Sequence, residues 1–316
     1  MKVGIIGTGA YGIALAEILN KNKLDVILWT KFEKEYNELR DNKIVKTLNN
    51  HKISDKIKFT LNINEIMNCN LIYIAIPQNA LKEICNFIKP LVNNQYFCIA
   101  TKGIGNNKTI ANIVNKLIKT KKIGLISGPT FAIDIINNVP IGFTVASFDE
   151  NTIQVIKNSL ANDDIYIETT KDIEGISVCG AVKNIFAIGS GIIKGLNLPI
   201  STQALYITKV THEIRKLIIF FNGNEESILT LAGIGDLVLT CFSEKSRNFT
   251  FGIMICKKKK NEIYNYIKST TIEGINTLKM INILIEKQKI ELPIIKCIYN
   301  IIYKNNKPTE ILSLLN

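Results

Sequence analysis

Lys2-Val3-Gly4-Ile5-Ile6-Gly7-Thr8-Gly9-Ala10-Tyr11-Gly12 joins a strand to a helix through three closely spaced glycines. Lys2–Gly7 reads as a short buried strand. Ala10–Asn20 carries Ile13, Ala14, Ala16, Ile18 and Leu19 at helical spacing. The glycines between them spell G-x-G-x-x-G, a weak signal alone but the arrangement that binds a dinucleotide when it follows a strand and opens a helix. Gly7 permits the tight turn, Gly9 lets the backbone approach a pyrophosphate, and Gly12 lets the helix pack closely on the strand. The helix N-terminus adds N–H donors and partial positive charge for the phosphates.

Further strands follow at Asp25–Trp29, Leu71–Ile76, Phe97–Thr101 and Ile123–Ser127, separated by helical stretches. Short apolar runs alternating with helices predict a parallel sheet covered on both faces. The pattern changes near residue 175. Ile176–Leu196, Ser201–Phe221, Glu225–Leu231, Thr271–Glu286 and Ile294–Lys304 read as helices. The expected architecture is α/β: an N-terminal Rossmann-type doubly wound sheet over residues 1–176 and a C-terminal all-helical domain over 177–316. The second strand ends at Trp29-Thr30-Lys31, where an NAD-preferring site usually carries an acidic residue for the ribose hydroxyls. Lys31 instead attracts a 2′-phosphate, which admits NADP(H), or else it points into solvent.

The 316 residues are 47% hydrophobic, enough to bury sizeable cores. No uninterrupted apolar run reaches the roughly 18–20 residues of a membrane span. Met1-Lys2 leads straight into a strand, so no signal peptide is expected and the protein is placed in the cytoplasm. Seven cysteines are scattered without a C-x-x-C pair, and with two histidines this argues against a zinc cluster and for reduced, buried thiols. The net charge of +12 comes from dispersed lysines; the one dense run, Lys257–Lys260, lacks interleaved aromatics. A solvated surface or the steering of a phosphate ligand explains this better than nucleic-acid binding.

Several residues carry recognisable chemistry. Lys183 sits in a small, apolar helical segment, Gly180–Gly191, where partial desolvation disfavours the ammonium and suits proton exchange with a hydroxyl. The alternative is a lysine reaching the surface. Asp236 follows Gly233-Ile234-Gly235 and either orients a nearby lysine or caps a helix. Arg247 and Asn248 offer a planar fork of donors and an amide, suited to a dianionic phosphate, or a surface salt bridge. Ser246 and Thr240 can add hydroxyl donors. Lys102 ends a strand at the sheet edge where ligands of open α/β sheets bind.

Six blocks in order carry a family resemblance: Gly7–Gly12; Ala100-Thr101-Lys102-Gly103; Ser127-Gly128-Pro129-Thr130-Phe131-Ala132; Gly180-Ala181-Val182-Lys183-Asn184; Gly233–Cys241 with Ser246-Arg247-Asn248; and Glu273-Gly274. With them the chain resembles the bacterial NAD(P)-dependent glycerol-3-phosphate dehydrogenases nearly end to end. The resemblance implies hydride transfer between NAD(P)H and dihydroxyacetone phosphate, giving sn-glycerol 3-phosphate for phospholipid synthesis without a metal. It implies Lys183 as proton acceptor in alcohol oxidation, with Asp236 and Lys102 beside it in the catalytic set. Gly128, Thr130, Asn184, Thr240, Ser246, Arg247 and Asn248 would bind substrate. Ala10, Tyr11, Lys31, Lys102, Ala132, Arg247, Thr271 and Glu273 would join Gly7, Gly9 and Gly12 at the cofactor. Ala10 stands where a serine is common, and position 31 is variable in the family, so the choice between NADH and NADPH stays open. A β-hydroxyacid dehydrogenase or ketopantoate reductase shares the plan, but Ser-Arg-Asn after Gly-Asp-Leu argues against it. Retention of Lys183, Asp236 and Arg247 argues against a non-catalytic NADPH-binding sensor. No nucleic-acid partner and no membrane span are expected, and a homodimer is left open.

Overall fold

β1 (Lys2–Ile6) is covered on both faces from Val3 to Ile6, as an interior strand requires. It lies within an eight-stranded sheet in the computed structural model, which describes residues 1–105, 107–257 and 260–315. Lys258 and Lys259 of the lysine run lie outside the described residues. The other strands are β2 (Asp25–Trp29), β3 (Lys58–Thr60), β4 (Leu71–Ile74), β5 (Tyr96–Ile99), β6 (Ile123–Ser127), β7 (Ile141–Ser147) and β8 (Ile165–Thr170). Their spatial order is β8-β7-β6-β5-β4-β1-β2-β3. β1 through β6 are mutually parallel, and the winding reverses between β1 and β4. In open α/β sheets ligands bind at the strands' carboxyl ends beside this reversal.

β7 and β8 extend the expected series. β7 runs antiparallel to β6, and β8 pairs with β7 in parallel. β8 is an edge strand with Tyr166 68% exposed, so it offers no continuous apolar run. Both faces of the sheet are served by helices, among them α1 (Ala10–Lys21), α2 (Glu33–Asn42), α3 (Gln78–Ile88), α4 (Ile110–Ile118) and α5 (Glu150–Leu160).

The chain packs as two compact units, Met1–Lys102 with Ile110–Ile173, and Gly103–Thr109 with Glu174–Asn316. This departs from the expected break at 176/177, which falls inside helix α6 (Ile173–Gly195). It also adds a strand pair to the unit expected to be all-helical: Ile104–Gly105 pairs antiparallel with Lys108–Thr109. The Thr109 hydroxyl donates to the buried Glu174 carboxylate, tying the hairpin to the start of α6.

α6 is the core of the second unit. Every residue from Ile173 to Ile193 is buried. Its mean hydropathy of 1.6 and its 23 residues match a membrane span, although no uninterrupted apolar run in it does; isoleucines, valines and alanines keep the mean high across the glycines and serines that interrupt them. Its whole apolar window is covered by protein, chiefly by α7 (Ile200–Phe220), α8 (Asp236–Phe242), α9 (Arg247–Lys257), α10 (Glu273–Gln288) and α11 (Pro293–Tyr303). α6 and α9 cross in backbone contact. A Cβ on Gly191 would come within 2.0 Å of the Phe249 carbonyl oxygen, and one on Gly252 within 2.1 Å of that of Ile188. That crossing fixes α9, which begins at Arg247, against the helix that carries Lys183.

Candidate active site

In the first unit the glycine loop has the geometry its spacing predicts. Gly7 has φ +117°, a conformation open to glycine, and its N–H donates to the Trp29 carbonyl at 3.0 Å. A Cβ on Gly12 would meet the Gly7 carbonyl oxygen at 2.2 Å, so α1 packs against the turn only with glycine there. A Cβ on Gly9 would meet nothing within 4 Å, and no side chain caps the helix. Open space over Gly9 at an uncapped helix N-terminus suits a pyrophosphate. Ala10 and Tyr11 form the first turn. The Tyr11 hydroxyl lies 3.2 Å from Thr130 Oγ1, which joins two of the expected site residues. Thr130 N donates to the Gly128 carbonyl at 2.8 Å, and Ala132 opens a short helix just beyond. Gly128 lies against β7, where a Cβ would meet the Gly142 carbonyl oxygen at 2.3 Å. Lys102 is half-buried at the end of this unit. Before it, Thr101 Oγ1 donates to the Ile76 carbonyl at 2.8 Å and binds the ends of two neighbouring strands together.

At the end of β2 the structure adds carboxylates that the local sequence does not announce. Thr30 is buried, and its hydroxyl donates to Glu35 in the first turn of α2 at 2.5 Å. The Lys31 ammonium pairs with Glu83 of α3 at 2.9 Å and stands 5.4 Å from the Phe32 ring centre. The Lys31–Glu83 pair joins the end of β2 to α3 across 52 residues of sequence, a contact that sequence spacing does not reveal.

In the second unit Lys183 and Asp236 form a buried ion pair, with side chains 9% and 0% exposed. Burial disfavours the ammonium and the adjacent carboxylate favours it, so Asp236 opposes the desolvation expected from the apolar helix. Asp236 is not a helix cap: Gly235 holds that position, and Asp236 is already helical at φ −72°, ψ −30°. A π-helical turn, Leu231–Gly235, leads into it. The turn closes tightly because a Cβ on Gly233 would meet the Ile228 carbonyl oxygen at 2.2 Å. Thr240 Oγ1 donates to the Asp236 carbonyl at 2.6 Å and lies 3.4 Å from its Oδ1. Cys241 borders the pair, but burial pushes its thiol well above the ordinary range, which leaves it unsuited as a nucleophile.

Arg247 is exposed at the first position of α9. Arg40 pairs with Asp41 and Arg215 with Glu225, whereas the Arg247 guanidinium has no carboxylate partner among the described residues. It is therefore not part of a surface salt bridge. Ser246 caps α9, its hydroxyl accepting from Phe249 N at 3.3 Å. Asn248 and Asn184 are engaged with each other: Asn248 Nδ2 donates to Asn184 Oδ1 at 2.9 Å, and Asn184 Nδ2 donates to Glu273 Oε2 at 3.0 Å. Gly274 N donates to Asn248 Oδ1 at 2.9 Å. This chain of amides ties α6, α9 and the start of α10 together. It enlists Glu273 and stops short of Thr271, which is exposed just ahead of α10.

Sequence comparison agrees over both units. The N-terminal profile of the NAD-dependent glycerol-3-phosphate dehydrogenases matches residues 2–153, and their C-terminal profile matches residues 172–313. A glycerol-3-phosphate dehydrogenase (NAD(P)+) of Wolbachia pipientis subsp. Culex pipiens (strain wPip) is 32% identical over 325 residues, covering 100% of this chain and 99% of its own. One of Thermoanaerobacter sp. (strain X514) is 30% identical, covering 98% of this chain and 95% of its own. The crystal structure of glycerol-3-phosphate dehydrogenase from Coxiella burnetii superposes with a TM-score of 0.93 at 28% identity, covering 99% of this chain and 98% of that one.

Proposed function

The chain belongs to the NAD-dependent glycerol-3-phosphate dehydrogenase family, and from that premise we propose that it interconverts dihydroxyacetone phosphate and sn-glycerol 3-phosphate with NAD(P)H. On this reading it works in the cytoplasm and supplies glycerol 3-phosphate for phospholipid synthesis. The observation that carries the proposal is the buried Lys183–Asp236 pair, a proton-carrying group held in place away from water. When bound, the nicotinamide supplies or accepts the hydride.

Gly7, Gly9 and Gly12 shape the loop that would hold the pyrophosphate, and the start of α1 presents its amides to it. Lys183 Nζ donates a proton to the ketone oxygen as C2 is reduced, and takes it back from the hydroxyl in the oxidative direction. Before that transfer the ammonium polarises the ketone, which removes the need for a metal. Asp236 holds Nζ in position and stabilises its charge. Arg247, with no carboxylate competing for it among the described residues, grips the phosphate and so orients the reacting carbon. Asn184 and Asn248 hold α6 and α9 in the relation that positions Lys183 and Arg247.

The test is oxidation of NADH or NADPH by purified protein, followed by fluorescence. Dihydroxyacetone phosphate should support turnover, and dihydroxyacetone at the same concentration should not. Equal rates with the two ketones would remove the phosphate grip from the proposal.

A further inference from the structure

The Lys31–Glu83 pair bears on which dinucleotide the first unit takes, an inference that rests on the dinucleotide reading of the Gly7–Gly12 loop. The end of β2 is where a Rossmann-type unit meets the 2′ position of the adenosine ribose. By sequence, Thr30-Lys31 leaves one cation there and no acid. The structure brings two carboxylates to the same place. Glu35 accepts from the buried Thr30 hydroxyl at 2.5 Å. Glu83 reaches across from α3, the helix that follows β4, and pairs with Lys31 at 2.9 Å. Of the groups engaged with Thr30 and Lys31, two are carboxylates, and the one ammonium is already held by Glu83. A ribose diol is neutral and can donate to carboxylates, whereas a 2′-phosphate brings further negative charge and has to take Lys31 away from Glu83.

We propose that Glu83 is a specificity-determining residue: by holding Lys31 it keeps the ribose position acidic, so that the protein binds NADH more tightly than NADPH. Lys31 serves a 2′-phosphate only when Glu83 releases it. Glu83 is 64% exposed in its side chain and makes no contact that the core depends on, so its replacement leaves the fold intact.

The chain carries its own probe. Trp29 is the single tryptophan and the last residue of β2, held by its indole N–H to the Leu61 carbonyl at 3.0 Å. Quenching of its emission, or energy transfer to the reduced nicotinamide, reads binding without turnover. The unaltered protein should bind NADH more tightly than NADPH. Glu83→Gln should tighten NADPH roughly threefold to tenfold, in line with one like charge removed at close range near a surface, and change NADH by less than about twofold. Lys31→Met should cost little NADPH affinity while Glu83 is present, and markedly more in the Glu83→Gln background. Three results would overturn the assignment: tighter NADPH binding by the unaltered protein, a proportional change in both dinucleotides on Glu83→Gln, or an equal Lys31→Met loss in the two backgrounds. Binding of neither dinucleotide would overturn the reading beneath it as well, and so separates the two failures.

Discussion

Lys183 and Arg247 occupy opposite environments, and the difference predicts how each will fail. Lys183 is 7% exposed and Asp236 0%, so removing the ammonium strands a buried carboxylate. Breaking a buried pair from one side costs roughly 3–5 kcal/mol. Lys183→Ala should therefore lower the melting temperature as well as kcat, with kcat falling roughly 10²–10⁴-fold and KM changing less, because the proton moves in the transition state. Arg247 is exposed and unpaired among the described residues, so Arg247→Ala should leave stability unchanged. It should raise KM for dihydroxyacetone phosphate by roughly tenfold to a hundredfold through loss of a charge-assisted contact. Steady-state kinetics with thermal melts on both variants checks this, and cofactor binding should persist in Lys183→Ala, which leaves the Gly7–Gly12 loop untouched. Near-normal kcat in Lys183→Ala would move the proton role to Lys102. These residues were legible in sequence because their blocks are short and contiguous. The mutual bonding of Asn184, Asn248 and Glu273 is not, since it depends on how three helices pack together.

Among the elements, α7 and α11 share an apolar core and are tied by a buried acid. Glu213 of α7 is 4% exposed, and its two oxygens accept from Ile294 N at 2.6 Å and Ile295 N at 3.1 Å, in the first turn of α11 after Pro293. Burial pushes its carboxyl up to about 7, against the pull of the two N–H bonds and of Lys216. A folded value above the unfolded one means that the native state holds the extra proton. The stabilisation is thus fully present below about pH 4.5 and is lost as pH rises through 7. Between pH 5.5 and 8 the unaltered protein should lose about 1–3 kcal/mol relative to Glu213→Gln. Urea unfolding of both proteins at the two pH values measures that difference; parallel curves would show that Glu213 does not titrate in this range. A Glu among apolar residues on a helix is visible in sequence, but its partner on a helix 81 residues away is not. β3, β7 and β8 escape for a related reason, since Lys58 and Thr60 in the first, Gly142, Thr144 and Ser147 in the second and the exposed edge face of the third break the apolar run that marks the other five strands. The π-helical turn before Asp236 is likewise an effect of packing around Gly233, which the Gly-x-Gly spacing announces only as a tight turn.

For the whole molecule, the division into a sheet unit and a helical unit follows from where apolar runs give way to helical spacing, and the structure keeps it. What periodicity cannot show is that residues 103–109 leave the first unit to join the second, because two short strands carry too few residues for a period. Charge is the property best treated at this scale. The net +12 is spread over the chain, and its field extends over about a Debye length, ~30 Å at 0.01 M salt and ~10 Å at 0.1 M. Such a field raises the capture rate of an anionic substrate and does nothing for a neutral one. kcat/KM for dihydroxyacetone phosphate should therefore fall severalfold as salt rises from about 0.02 M to 0.2 M, while kcat stays nearly constant. Arg247→Ala separates the general field from the local grip. One charge of the net twelve is removed, so the salt slope should persist in the variant although its absolute kcat/KM is lower. A slope that vanishes in Arg247→Ala would assign the whole effect to the guanidinium, and would leave the dispersed lysines as surface solvation alone.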